Sequence, residues 1–247
     1  PYARIVHVDI DPAEIGKNVA VEVPIVGDAG RVLRALTPMV AAVDPAERAD
    51  YFEQLAAWKA ESVAASWHGS GAWREGLLTA DYVVERIGEL SGHAATYVAD
   101  VGQNQMWLAR YTGFRRPNSH VSSGGLGTMG FSVPAAMGAA LGRPDRETWA
   151  ITGDGGFQMT FQELMTLVAD HIPVKIALLD NKKLGMIRQW QEIIYAGNYH
   201  SSHLPGPDFV KLAEAYGVPA FKATKTEEVD QVIRAAQAVD GPALIWF

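Results

Sequence analysis

Two short apolar runs, each leading into an oxygen-bearing side chain, constrain this chain more than any other feature. Residues 149–152 lead through Gly153 into Asp154, and residues 174–179 lead through Asp180 into Asn181. Both runs read as strands. Between them Thr160 and Glu163 have capping-box spacing, and Phe161, Leu164, Met165 and Val168 recur at i, i+3, i+4 and i+7, which predicts a helix with one apolar face. A right-handed strand–helix–strand crossover can bring the two strands side by side, or nearly so, with Asp154 and Asn181 at one edge. Open parallel sheets bind ligands at that edge.

A carboxylate and an amide oxygen converging beside glycines suit a hard cation such as magnesium. Magnesium takes few protein ligands and completes its octahedron with phosphate oxygens and water, so the implied ligand is a diphosphate. A lone Gly153-Asp154-Gly155 is also common turn chemistry. The second oxygen ligand after the next strand argues for the site.

With its 25 intervening residues, Gly153-Asp154-Gly155 followed by Asn181 resembles the thiamine diphosphate signature. The flanking Ser123-Gly124-Gly125-Leu126-Gly127-Thr128-Met129-Gly130-Phe131, Phe157-Gln158-Met159 and Leu184-Gly185-Met186-Ile187-Arg188-Gln189-Trp190-Gln191 resemble the catalytic subunits of the acetohydroxyacid (acetolactate) synthase family. That resemblance implies an α/β fold with an open, mostly parallel sheet flanked by helices, preceded by the tail of an FAD-type central domain. It implies magnesium- and thiamine diphosphate-dependent decarboxylation of pyruvate and carboligation to a second pyruvate or to 2-ketobutyrate, giving acetolactate or acetohydroxybutyrate, the first step of branched-chain amino acid biosynthesis. Another thiamine diphosphate carboligase or decarboxylase is the alternative, and a nonenzymatic binding module with the same fold a third reading.

The resemblance also assigns residues. It makes Asp154, Asn181 and the backbone carbonyl of Lys183 the magnesium ligands. Gln103, Asn104, Gly127, Thr128, Met129, Gly155, Gly156, Leu184, Gly185 and Met186 join them around the cofactor, with Met129 wedged beneath it. Gln103 and Asn104 could donate to a phosphate, although the family usually has histidine where this chain has Asn104. Met186 and Trp190, at i and i+4, usually mean plain helix packing. The resemblance places them on the substrate and herbicide pocket, Trp190 limiting the second substrate's size. The family's catalytic glutamate lies on an amino-terminal domain of the neighbouring subunit, so no catalytic residue is expected here, and Glu163 is expected to be a helix cap.

In chain order, residues 1–43 read as the end of the central domain. Asp9, Ile10, Asp28 and Ala29 are the flavin contacts that the resemblance implies, whereas spacing alone favours reading Asp9 and Asp28 as solvated turn aspartates. Short helices are predicted around Pro12 to Lys17 and from Asp28 or Gly30 to Val40. Residues 44–75 read as a linker helix, broken at His68-Gly69-Ser70-Gly71 with His68 facing solvent, and residues 76–247 as the cofactor domain. There Thr79 is expected to cap a helix, residues 96–99 to form a strand, and residues 134–141 a helix. Gly125-x-Gly127-x-x-Gly130 matches the dinucleotide fingerprint, but residues 116–123 do not read as the apolar strand that fingerprint needs. His200, His203 and Asp208 lack zinc-site spacing, and residues 196–207 read as a surface loop or lid.

Composition sets the outer limits. At 247 residues, 48% hydrophobic and 20% charged, the chain can hold one large domain or one domain and a piece of another. A net charge of -7 disfavours nucleic acid as a partner, and zero cysteines exclude disulfides. No apolar run is long enough for a bilayer, and a membrane role is not expected. The strand-like starts and stops at both ends lead to the expectation of a fragment, without turnover alone. The resemblance implies a homodimer or homotetramer with the active site between subunits, a possible regulatory small subunit, and a cytoplasmic location in bacteria or an organellar one in eukaryotes.

Overall fold

A computed structural model of the chain describes residues 3–40, 44–65 and 78–247. The break expected at residues 68–71, and the exposure of His68, lie outside the described residues. The chain divides into two compact units, residues 1–60 and 61–247.

The first unit is built on a two-stranded parallel pair, β1 (Val6–Asp9) and β2 (Val23–Val26), with Asp9 opposite Val26. Helix α1 (Ala29–Leu36) follows, starting at Asp28, whose Oδ1 accepts from the Arg31 N–H at 2.8 Å. It gives way to a 3₁₀ turn at Thr37–Met39, short of the Val40 end expected. The helix expected near residues 12–17 is a run of turns instead. Asp11 Oδ1 takes the Ala13 N–H at 2.9 Å, and Gly16 sits at φ 74°, which an α-helix does not accommodate. A 3₁₀ turn at Pro45–Arg48 leads into α2 (Ala49–Ala64).

The second unit is a six-stranded sheet, parallel throughout, in the order β4-β3-β5-β6-β8-β7. Its strands are β3 (Thr96–Ala99), β4 (His120–Ser122), β5 (Thr148–Gly153), β6 (Val174–Leu179), β7 (Ala220–Lys222) and β8 (Ala243–Trp246). Side chains alternate between two cores, one on each face. Ala177, Leu179, Trp149 and Ile151 pack with α3 (Ala80–Leu90) and α10 (Val229–Gln237); Ile176, Leu178, Ala150 and Val98 pack with α5 (Ser132–Gly142), Phe157 and α9 (Phe209–Ala215). Both faces are therefore covered, as parallel sheets require.

Three local expectations give way. Residues 120–122 do form a strand: parallel pairing to β3 engages the backbone, so this edge strand needs no apolar run. Thr79 contributes no side-chain cap to α3. The crossover helix does not begin at Thr160; it begins at Asp154 and is broken there, as α6 (Asp154–Thr160), a 3₁₀ turn (Phe161–Glu163) and α7 (Leu164–Ala169). The Thr160 hydroxyl donates to the Gly130 carbonyl at 3.0 Å rather than capping, and Glu163 Oε2 accepts from Thr166 at 3.4 Å.

Candidate cofactor site

Strand pairing creates the site. β5 and β6 are neighbours with Gly153 opposite Leu179, so the chain leaves both strands at one edge and delivers Asp154 from one and Asp180 and Asn181 from the other. On the other side of β5, β3 delivers the loop 100–102 and α4 (Gln103–Tyr111). A cavity of about 330 Å³ opens where these segments meet. Asp154, Asn181 and Lys183 all line it, together with Gln103, Asn104, Gly127, Met129, Gly155, Gly156, Leu184, Gly185 and Met186.

Two expected residues stand apart. Thr128 is not among the lining residues, and its N–H and hydroxyl are both engaged with the Ser123 hydroxyl at 3.1 Å. Trp190 is one turn beyond Met186 on α8 (Gly185–Ile193), whose first residues face the cavity, and it is 54% exposed and outside the lining. Conversely, Trp107, Leu179 and Ile187 line the cavity without having been singled out. Spacing along α4 from Gln103 could have flagged Trp107.

The polar groups are arranged for a ligand that supplies charge. Asp154 is buried, and its Oδ2 has no hydrogen-bond partner; the same holds for Asn104 Oδ1, whose Nδ2 donates to the Val101 carbonyl at 3.1 Å. Burial, and after it the negative charge of Asp180, push the Asp154 carboxyl up to about 7. Asp180 is itself held by the Trp246 indole N–H at 3.0 Å and the Lys182 N–H at 2.9 Å. Asn181 Oδ1 accepts from the Lys183 N–H at 3.0 Å, which fixes the turn carrying both residues.

Close backbone approach explains the glycines. A Cβ on Gly155 would lie 3.0–3.2 Å from Met129 Cε, Leu184 Cδ2 and Leu204 Cδ2, so three apolar side chains converge on that point. A Cβ on Gly185 would fall 2.2 Å from Gln103 Oε1, where the Gln103 side chain crosses to bond Gln189 at 3.2 Å. The segment 196–207 is tied down beside the site: Leu184 N–H bonds the Ser202 carbonyl, Leu204 N–H bonds the Lys182 carbonyl, both at 2.9 Å, and Gln191 exchanges two hydrogen bonds with the His200 backbone.

Asp100 was not singled out, yet it organises the site's far wall. Its carboxylate, 1% exposed, accepts from the Val101, Gly130 and Ser132 N–H groups and from the Ser132 hydroxyl at 2.9–3.1 Å. A carboxylate right after a strand, 30 residues ahead of a glycine loop, gives no local sign of that role.

In the first unit the expected flavin contacts share one edge. Asp9 ends β1, Ile10 follows and is exposed, and Asp28 and Ala29 start α1 just past β2. Asp9 Oδ1 accepts from the Asp11 N–H at 2.8 Å.

Comparison with known proteins follows the same division. Residues 100–247 match the thiamine pyrophosphate enzyme C-terminal TPP binding domain, and residues 1–36 match the thiamine pyrophosphate enzyme central domain. Over its full length the chain is 45% identical to the acetolactate synthase of Mycobacterium avium, covering 41% of that protein, and 45% identical to the acetolactate synthase large subunit of Corynebacterium glutamicum, covering 40%. It is 41% identical, over 99% of its length, to the probable acetolactate synthase large subunit of Methanocaldococcus jannaschii, covering 42%. The chain thus spans about two fifths of the length of these relatives.

Proposed function

The chain belongs to the thiamine pyrophosphate enzymes, and from that membership we propose that it forms the cofactor-binding part of an acetolactate synthase, which decarboxylates pyruvate and joins the product to a second 2-keto acid. The observation that carries this reading is the placement of Asp154 and Asn181 at adjacent strand ends of one cavity that Met129 also lines.

The residues present fit the cofactor. Asp154 Oδ2 is a buried, unpartnered anion-forming oxygen, and Asn181 and the Lys183 carbonyl add neutral oxygens of the kind a hard dication prefers. Magnesium on these three would bind a diphosphate. Gln103, Asn104 and the backbone near Gly127 border the same space, while Met129, Leu184 and Met186 supply apolar walls against a heteroaromatic ring. Bound thiamine diphosphate would supply the nucleophilic carbon and the electron sink of the decarboxylation. The protein's share is to anchor the diphosphate, set the ring against Met129 and exclude water around the reacting carbon.

Among the described lining residues Asp154 is the one carboxylate, and on this reading it serves the cation; the resemblance puts the activating glutamate on an amino-terminal domain of the neighbouring subunit. The organisation proposed is a central-domain end at residues 1–43, a linker at 44–75 and the cofactor domain at 76–247. FAD would sit against Asp9, Ile10, Asp28 and Ala29. The relatives named large subunits support a small regulatory partner. A homo-oligomer, cytoplasmic if the protein is bacterial and organellar if it is eukaryotic, completes the proposal; among the described residues no helix is long and apolar enough to cross a membrane.

The test is acetolactate formation from pyruvate by the full-length protein, with thiamine diphosphate, magnesium and FAD omitted in turn, beside Asp154→Ala. Dependence on all three and loss in the variant support the proposal. Activity indifferent to FAD would point to a flavin-free relative, and no acetolactate under any condition would sink the reading.

A further inference from the structure

We propose that Thr160 and Asp100 are positioning residues for Met129, acting through Gly130. The inference rests on the proposed cofactor role of Met129. Gly130 is held by both of its peptide groups: its N–H donates to Asp100 Oδ1 at 3.0 Å, and its carbonyl accepts from the Thr160 hydroxyl at 3.0 Å. It is buried at φ 84°, and a Cβ there would lie 3.0 Å from both Met159 Cβ and Thr160 Cγ2, so the backbone of this residue is confined by packing as well.

The rest of the loop is not confined in this way. Residues 124–128 are exposed, and Gly127 and Thr128 are tied within the loop, back to Ser123. Met129 therefore hangs between an exposed loop and a doubly fixed glycine. Its Cε reaches the point where three side chains converge on Gly155. The Asp100 carboxylate is fixed in turn by Ser132, at the start of α5, and by its fit against Gly156, where a Cβ would lie 2.4 Å from Oδ1. Three segments that meet at the cavity, the end of β3, the glycine loop and α6, are thus joined through one residue next to Met129.

The test uses the full-length protein with Thr160→Val, which keeps the shape of the side chain and removes its hydroxyl, and Thr160→Ser, which keeps the hydroxyl. Amide hydrogen exchange is measured on the cofactor-free protein, and thiamine diphosphate binding with magnesium by calorimetry. For the valine variant we expect faster exchange confined to residues 124–131 and cofactor binding weaker by about three- to ten-fold, the range of a single lost hydrogen bond. The serine variant should restore both. Ser132→Ala, which removes one donor from Asp100, should shift both readouts in the same direction by less. Valine and alanine variants indistinguishable from wild type in exchange would overturn the inference, as would a serine variant as impaired as valine or exchange accelerated throughout the domain. Failure of the wild type to bind thiamine diphosphate would instead overturn the proposed function, and the exchange comparison would still decide whether Thr160 and Asp100 hold this loop.

Discussion

Gly156 and Gly185 both stand where an added methyl would overlap a neighbour, yet their substitutions should fail differently. At Gly156 the methyl meets the Asp100 carboxylate, which four donors hold in place. Gly156→Ala should therefore cost about 2–4 kcal/mol, combining overpacking with loss of buried hydrogen bonds, visible as a clear fall in melting temperature. At Gly185 the methyl meets the far ends of the Gln103 and Asn181 side chains, and Gln103 can swing aside at the expense of its bond to Gln189. Gly185→Ala should leave the melting temperature within a few degrees of wild type while weakening cofactor binding, and an equal loss of stability in both variants would contradict this account. Motif spacing pointed to Asp154 and Asn181 and the resemblance to Met129, and all three line the cavity. Asp100 was not legible in the sequence, since its importance lies in what reaches it from residues 130, 132 and 156.

At the level of elements, the buried strands were readable from their apolar runs, and β3 has the bounds expected for it. The crossover helix was misread because its break depends on a carbonyl from another loop, which periodicity within the helix cannot register. Strand β6 contains a further departure from an apolar pattern. Lys175, 4% exposed, donates to the Val239 and Gly241 carbonyls at 2.7 Å and so closes the turn before β8. Lys175→Met should cost about 2–4 kcal/mol, because two carbonyls lose a charged donor in a buried setting. Burial lowers the pKa of this lysine and raises that of nearby Glu147. For Glu147 the native state holds its proton more tightly than the unfolded chain does. Its contribution to stability is thus full below the ordinary value of 4.5 and is lost as pH rises through the raised value. Glu147→Gln should gain in melting temperature relative to wild type as pH goes from 4 to 8; a difference that stays constant with pH would contradict the shift.

Across the whole molecule, the two units differ in what they bury. None of the described residues of 1–60 is buried, whereas the second unit holds two cores on the faces of its sheet. Amide exchange on this 247-residue chain should accordingly find slow exchange in β3, β5, β6 and β8 and fast exchange throughout residues 3–40, and uniform protection of both would contradict the division. The strand–helix–strand pattern and the resemblance pointed to an α/β sheet but not to its strand order, which lies in long-range strand pairing. The proposed function stands on Asp154 and Asn181 holding a cation that anchors a diphosphate. Titrating the stripped full-length protein with thiamine diphosphate, with magnesium and then with EDTA, tests it most directly when Asp154→Ala is run alongside. Binding should be saturable and weakened by more than about ten-fold both by EDTA and by the substitution, since removing a ligand from a metal site costs affinity on this scale or more; equal binding with and without magnesium, or in the variant, would rule this anchoring out.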